Sequence, residues 1–174
     1  APVSVNLTRR DIFSDGFLGK LDRIVEKYNI DTSYINIEIT ESSALGSTES
    51  INRVIKEFHA RGYHVAMDDF GKGYSSLNVL RNLDIDEIKI DIEFIRGEIG
   101  DKGGIILSSI VNMAKWLQLP VIAEGVETVE QSDFLKSIGC NYVQGFLFSE
   151  PVPQEEYVKI LSSSFVGKIK KPLN

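Results

Sequence analysis

The sequence predicts a parallel α/β fold, a TIM-type (β/α) barrel with about six of the eight β/α units present and the first strands missing. Six short runs rich in apolar and β-branched residues alternate with helix-period segments. Most of these runs are continuously apolar, which is typical of strands buried on both faces. Strands that helices separate in this way form right-handed β/α units. The predicted strands are Val3–Val5, Tyr34–Ile37, His64–Met67, Glu87–Ile90, Pro120–Ala123 and Asn141–Val143.

Helices between these runs are predicted from apolar residues that recur on one helical face. Gly62 and Gly139 each follow a helical segment, as a left-handed residue at a helix end does. Thr128 with Gln131 predicts a capping box. We expect one barrel domain over residues 1–162 and a Ser- and Lys-rich tail over 163–174. The predicted apolar stripes are Phe17, Leu21, Ile24 and Tyr28; Ile51, Val54, Ile55 and Phe58; and Ile106, Ile110, Met113 and Leu117.

Composition and charge indicate which partners and which compartment the protein is suited to. The 174 residues carry a net charge of -6, which argues against DNA or RNA as the main partner because those need a basic face. The single cysteine, Cys140, fits a reducing compartment. No apolar run reaches the ~20 residues of a membrane span. We therefore expect a cytoplasmic domain that does not itself enter a membrane.

Polar residues occur directly after the predicted strands, and Lys89 lies inside the fourth one. In a parallel barrel all strand carboxyl ends meet at one rim, so these side chains are expected to converge. Carboxylates that converge repel one another unless a cation neutralises them. Oxygen ligands select hard ions, so we expect Mg²⁺ or Mn²⁺, with two ions in the complete domain. The rim residues are Asn6, Glu38, Asp68, Asp69, Asp91, Glu124 and Gln144.

Each of these residues also has an ordinary interpretation. An Asp or Asn after a strand is most often a helix cap or a turn former. Lys89 on its own is more often a surface side chain with its ammonium in water. The recurrence of an oxygen ligand after every strand favours the metal site, because independent caps would not produce it.

Six short motifs then occur in a fixed order along almost the whole chain, from about Val3 to Leu161. Together they resemble the EAL domain, the bacterial phosphodiesterase domain that hydrolyses the second messenger cyclic-di-GMP to linear pGpG. The motifs are Val5-Asn6-Leu7-Thr8, Glu38-Ile39-Thr40-Glu41, Asp68-Asp69-Phe70-Gly71, Lys89-Ile90-Asp91, Glu124-Gly125-Val126-Glu127 and Gln144-Gly145-Phe146.

The resemblance implies a role for each matching position. Asn6, Glu38, Asp68 and Glu124 match the ligands of a first metal, and Asp69 and Asp91 match the positions that support a second. The implied catalytic residues are Lys89, which orients the attacking water or stabilises the phosphate, Glu124, and Glu41, which anchors the loop Asp69–Ser76. Glu127 and Gln144 match positions near the substrate. The parent protein is expected to carry sensory or GGDEF domains.

One departure from the family pattern is large. The Glu-Ala-Leu motif that names the family is absent, and so are the strands expected before Val3. The missing glutamate would be a metal ligand, and an unclosed barrel exposes strand edges. The sequence therefore predicts weak or no hydrolysis by this chain alone and self-association through its open side.

Two alternatives stay open at this stage. The first is an inactive EAL-type module that binds cyclic-di-GMP and reports it to a partner. The second is an unrelated metal-dependent barrel enzyme acting on a sugar phosphate or a keto acid, which would explain the rim residues but not the order of the motifs.

Overall fold

The computed structural model of the chain describes residues 2–43, 48–71, 80–91, 93 and 102–162. These residues form two compact units. Unit one comprises the described residues of 1–90 together with 118–120, and unit two comprises those of 91–117 and 121–174. The predicted tail, 163–174, lies outside the described residues.

Unit one contains a parallel sheet whose strands are paired in chain order, as predicted. Its strands are β1 (Val3–Leu7), β2 (Ile35–Thr40), β3 (His64–Asp68) and β4 (Glu87–Asp91), the last residue of which belongs to unit two. The strands extend beyond their predicted carboxyl ends, so polar residues such as Glu38 and Asp68 lie inside strands and not after them. Their backbones are therefore held by the sheet, which fixes the direction of their side chains.

The helices of unit one are α1 (Arg9–Ile12), α2 (Phe17–Tyr28) and α3 (Thr48–His59). The stripe predicted on α3 is confirmed, since Ile51, Ile55 and Phe58 are buried. The stripe predicted on α2 is wrong at two positions, because Ile24 and Tyr28 are exposed and Val25 is buried instead. Ile24 and Val25 are adjacent and both apolar, so periodicity alone could not choose between their two faces.

Unit two contains β5 (Val121–Glu124) and β6 (Tyr142–Val143), which pair in parallel as predicted. Its helices are α4 (Lys102–Trp116), α5 (Val129–Ser137) and α6 (Gln154–Ser162). The capping box of Thr128 and Gln131 at the start of α5 is confirmed. Among the helices in the described ranges, none is both long and apolar enough to cross a membrane.

The stripe predicted on α4 is displaced around the helix. Ile106 and Leu117 are exposed, while Leu107, Val111 and Ala114 are buried. This helix carries apolar residues around most of its circumference, so the hydrophobic pattern contains no single face.

Alternation along the central strands of unit one separates an apolar layer from a polar one. Ile37, Ile39, Ile88 and Ile90 are fully buried. The residues between them on the same strands are charged, which places those charges together on the other face of the sheet. In unit one the charged residues of these strands therefore share one face of the sheet, and the isoleucines form an aliphatic layer on the other face.

A buried hydroxyl identifies a weak point in this core. The Tyr63 ring packs edge-on against Phe58, with ring centroids 5.9 Å apart and planes at 84°. Its hydroxyl oxygen is buried and has no hydrogen-bond partner among the described residues. Burial, with the nearby Asp22 carboxylate, raises the pKa of the Tyr63 hydroxyl. An unsatisfied buried polar group destabilises a fold.

Tyr63→Phe is therefore expected to raise the free energy of unfolding by about 1 kcal/mol, since the ring packing stays and the unsatisfied oxygen is removed. Chemical denaturation of both proteins measures the change. Tyr157→Phe, at an exposed tyrosine, is the matched control and should change little. A clear loss of stability in Tyr63→Phe would mean that the hydroxyl makes a favourable interaction.

Candidate active site

The centre of the candidate site in unit one is a buried ion pair between residues of β4 and β2, the two strands on either side of β3. The Lys89 ammonium donates to Glu38 Oε1 at 2.6 Å. The two residues are only 5 % and 3 % exposed. The ordinary interpretation of Lys89 as a surface side chain is thus wrong. A buried charge of this kind needs a partner, and the sheet supplies it from two strands away.

The other predicted residues of unit one lie around this pair in the sheet. Asn6 is the register partner of Glu38, so an amide and a carboxylate occupy neighbouring positions at the carboxyl end of the sheet. Asp68 ends β3, and its carboxylate accepts from the Asp69 N–H at 2.8 Å. Asp69 itself has a left-handed backbone, with φ 55°. This conformation turns the chain sharply into the following loop.

Glu41 holds the first part of that loop. Its carboxylate is buried and accepts from the Gly71 N–H at 3.2 Å. The Glu41 N–H donates to the Asp68 carbonyl at 3.1 Å, and the Phe70 N–H donates to the Lys89 carbonyl at 3.0 Å. The remainder of the predicted loop, residues 72–76, lies outside the described residues. The segment from Asp68 to Gly71 is therefore fixed on both sides by backbone hydrogen bonds.

In unit two, Gln144 Nε2 donates to Glu124 Oε1 at 2.6 Å, which brings together two of the predicted residues. Glu127 is exposed, and its backbone N–H donates to the Gln131 side chain at 2.8 Å. Asp91 is half-buried, and its carboxylate accepts from the Glu93 N–H at 2.8 Å. The amide of Gln144 thus fixes the orientation of the Glu124 carboxylate.

Gly145 makes the arrangement of Glu124 and Gln144 possible. Its φ is 156°, and a Cβ at this position would lie 2.2 Å from the Val126 carbonyl oxygen and 2.3 Å from its nitrogen. The Val126 N–H donates to the Gln144 carbonyl at 3.1 Å, and the Leu147 N–H donates to the Val126 carbonyl at 2.9 Å. Only glycine permits the two backbone segments to approach this closely.

The donor atoms of unit one are suited to a hard divalent ion. They are the Asn6 amide oxygen and the carboxylates of Glu38 and Asp68, without sulfur or imidazole. Within the part of the chain that the structure describes, no three acidic, histidine or cysteine side chains lie close enough to hold a metal by themselves. Mg²⁺ commonly takes one or two protein carboxylates and completes its shell with water and substrate phosphate. The residues present fit such an ion and not a closed zinc site.

Two features of unit one were not identified from the sequence. His59 Nε2 lies 2.9 Å from the Asp86 carboxylate, which also accepts from the Val65 N–H at 2.7 Å. Glu87, two residues before Lys89 on β4, is half-buried, and burial raises the pKa of its carboxyl. The two-residue spacing places Glu87 on the same face of β4 as Lys89, and the strand register, which sequence motifs do not contain, relates it to Glu38.

Comparison with protein families matches the EAL domain family to residues 1–151. The chain belongs to the EAL domain family. This EAL chain is 36% identical over 155 residues to the bifunctional diguanylate cyclase/cyclic di-GMP phosphodiesterase MucR of Pseudomonas aeruginosa. The match covers 88% of this chain and 23% of MucR, so the chain spans about a quarter of the length of that curated relative.

Solved structures agree with this assignment. The PaMucR phosphodiesterase in complex with c-di-GMP superposes with a TM-score of 0.83 and 35% identity, over 90% of this chain and 64% of that one. Klebsiella pneumoniae BlrP1, in a manganese/cy-diGMP complex, gives a TM-score of 0.79 and 33% identity, over 86% of this chain and 39% of that one. The predicted family and the predicted fold class, a TIM-type (β/α) barrel with six strands present, are confirmed.

The EAL motif Gln144-Gly145-Phe146 provides a test of how the site is held. Gly145→Ala is expected to lower the free energy of unfolding by more than ~2 kcal/mol, because the new Cβ meets the Val126 backbone. Gly16→Ala is the matched control: φ there is 75°, but nothing lies within 4 Å of the Cβ, so only backbone strain of about 1 kcal/mol is added. Denaturation curves compare the two variants. Equal losses would show that the close approach at Gly145 is not a constraint.

Proposed function

We propose that this EAL chain is the catalytic part of a cyclic-di-GMP phosphodiesterase that produces linear pGpG with Mg²⁺ or Mn²⁺. The observation that carries the proposal is the buried Lys89–Glu38 pair. It lies in a sheet whose strands bear amide and carboxylate oxygens at their carboxyl ends. The names of the relatives, which include a cyclic di-GMP phosphodiesterase, support cyclic-di-GMP as the substrate. The parent is proposed to be a multidomain bacterial signalling protein with sensory or GGDEF domains, and the domain to act in the cytoplasm.

The metal ligands are proposed from the family motifs and from the donor chemistry. The ions, when bound, polarise the phosphodiester and lower the pKa of the attacking water. Glu41 holds the chain at Gly71, so the loop that follows Asp69 starts from a fixed position. The proposed ligands are Asn6, Glu38, Asp68 and Glu124 for the first ion and Asp69 and Asp91 for the second.

Lys89 is proposed to orient the attacking water or to stabilise charge on the phosphate. Its amino group is buried, and a positive charge acts more strongly there than in water. Gln144 is proposed to hold Glu124 in one orientation, and together with Glu127 to lie near the substrate.

Hydrolysis is expected to require added Mg²⁺ or Mn²⁺ and to stop after chelation. Ca²⁺ should inhibit, because its larger and looser coordination does not maintain the geometry of a two-metal site. Since the sequence predicts slow turnover, the protein is used in excess over cyclic-di-GMP, and pGpG is separated by chromatography over time. Undiminished hydrolysis in the presence of a chelator would exclude the metal-dependent mechanism. Binding without any pGpG, also in the domain extended upstream by the two missing β/α units, would identify a binding module.

Lys89→Ala is expected to lower the rate of hydrolysis by about 10²-fold, or ~3 kcal/mol in the barrier, because a preorganised charge is lost. Binding of cyclic-di-GMP, measured calorimetrically with Ca²⁺, should change much less. Lys56→Ala, at an exposed lysine of α3, is the matched control. Circular dichroism checks that each variant is folded. A change of only a few-fold in folded Lys89→Ala would assign Lys89 a structural role alone.

A further inference from the structure

The strand register of unit one places a second carboxylate in the same row as Glu38. Glu38 pairs with Ala66 across β2 and β3, and Ala66 pairs with Glu87 across β3 and β4. Ala66 is buried and has the smallest side chain that still bears a Cβ. In this row the Ala66 methyl group therefore lies between two carboxylates.

Lys89 lies close to both carboxylates of this row. It is two residues from Glu87 on β4, so the two side chains leave the strand on the same face. Its ammonium is 2.6 Å from Glu38. Burial is the largest influence on Glu87 and raises the pKa of its carboxyl, while the Lys89 ammonium lowers it. The Glu38 and Asp86 carboxylates raise the same pKa, and His64 lowers it.

Glu87 also lines a cavity of about 310 Å³ in unit one. Asn36, His64 and Pro120 contribute to its wall, so the cavity lies towards the amino-terminal ends of the strands. The carboxylate of Glu87 therefore lies on the side of Lys89 that is remote from Asp68, which ends β3 at the opposite end of the sheet. Lys89 thus pairs with the Glu38 carboxylate, and the Glu87 carboxylate lies on the side towards the amino-terminal ends of the strands.

We infer that Glu87 is a positioning residue for the proposed hydrolysis and acts as the second counter-charge of Lys89. The inference rests on the proposed function. If Glu38 ligates a divalent ion, its negative charge is shared between that ion and Lys89. Glu87 would then continue to attract the ammonium, so Lys89 would keep its position on the sheet.

A purely structural role does not explain Glu87. Because its pKa is raised above the unfolded value of 4.5, the folded state binds the proton more tightly than the unfolded state does. Glu87 therefore favours folding most at pH values below 4.5, and this contribution is lost as the pH rises through the folded pKa. In its charged form the carboxylate opposes folding, which is the pattern of a residue retained for function.

The test compares Glu87→Gln with Glu87→Asp and with Glu57→Gln, an exposed control on α3. In hydrolysis assays with the protein in excess, the maximal rate should fall about tenfold in Glu87→Gln while the protein concentration that gives half of this rate stays within about twofold, and Glu87→Asp should recover most of the rate. The melting temperature of Glu87→Gln relative to the unsubstituted chain should rise as the pH increases above 4.5. Activity and stability then move in opposite directions, whereas a structural role moves them together.

A second measurement does not depend on activity. The ¹⁵Nζ resonance of Lys89 should shift in Glu87→Gln and not in Glu57→Gln, because Glu87 is close to the ammonium and Glu57, on α3, is not. If neither this chain nor the domain extended upstream by the two missing β/α units hydrolyses cyclic-di-GMP and the resonance shifts, the proposed function is wrong and the pairing of charges stands. If hydrolysis proceeds, the maximal rate is unchanged and the resonance does not move, the inference is overturned and the proposed function stands.

Discussion

The structure of unit one depends on the burial of one cation. Lys89 can be placed in the interior only because Glu38 meets it at 2.6 Å, since an unpaired buried charge costs several kcal/mol. This requirement constrains the sheet. A one-residue slip of β4 would turn Lys89 into the aliphatic layer of Ile37 and Ile39 and would leave Glu38 without its cation. The ion pair therefore favours the register of β4 that keeps Lys89 on the face of the sheet occupied by Glu38.

Much of the fold could be predicted from the sequence because parallel strands buried on both faces are continuous apolar runs. Every predicted strand is present, and α3 buries the predicted face. The faces of α2 and α4 could not be predicted, because adjacent apolar residues such as Ile24 and Val25 fit both orientations equally well. Tertiary contacts decide between them: Gly104 of α4, for example, packs beside Phe134. Such contacts are absent from a one-dimensional pattern.

The candidate site could be predicted in part for a similar reason. Residues at strand ends, such as Asp68 and Gln144, follow apolar runs directly and are therefore visible in the sequence. Glu87 lies at the start of a strand, where a charge is ordinary. Its importance comes from Ala66 on the next strand, whose small side chain leaves two carboxylates in one row. Pairing between residues far apart in sequence cannot be predicted from the motifs alone.

The charges of this row explain why a site with few clustered acids still suits a divalent ion. Glu38 and Glu87 together carry two negative charges when ionised, and Lys89 neutralises one of them. The excess negative charge is buried at Glu38 and half-buried at Glu87, where attraction to a cation is stronger than in water. Burial raises the pKa of the Glu87 carboxyl most, and the Glu38 carboxylate raises it further. The motif residues set the class of chemistry, and the carboxylate outside the motifs adjusts the charge on which that chemistry depends.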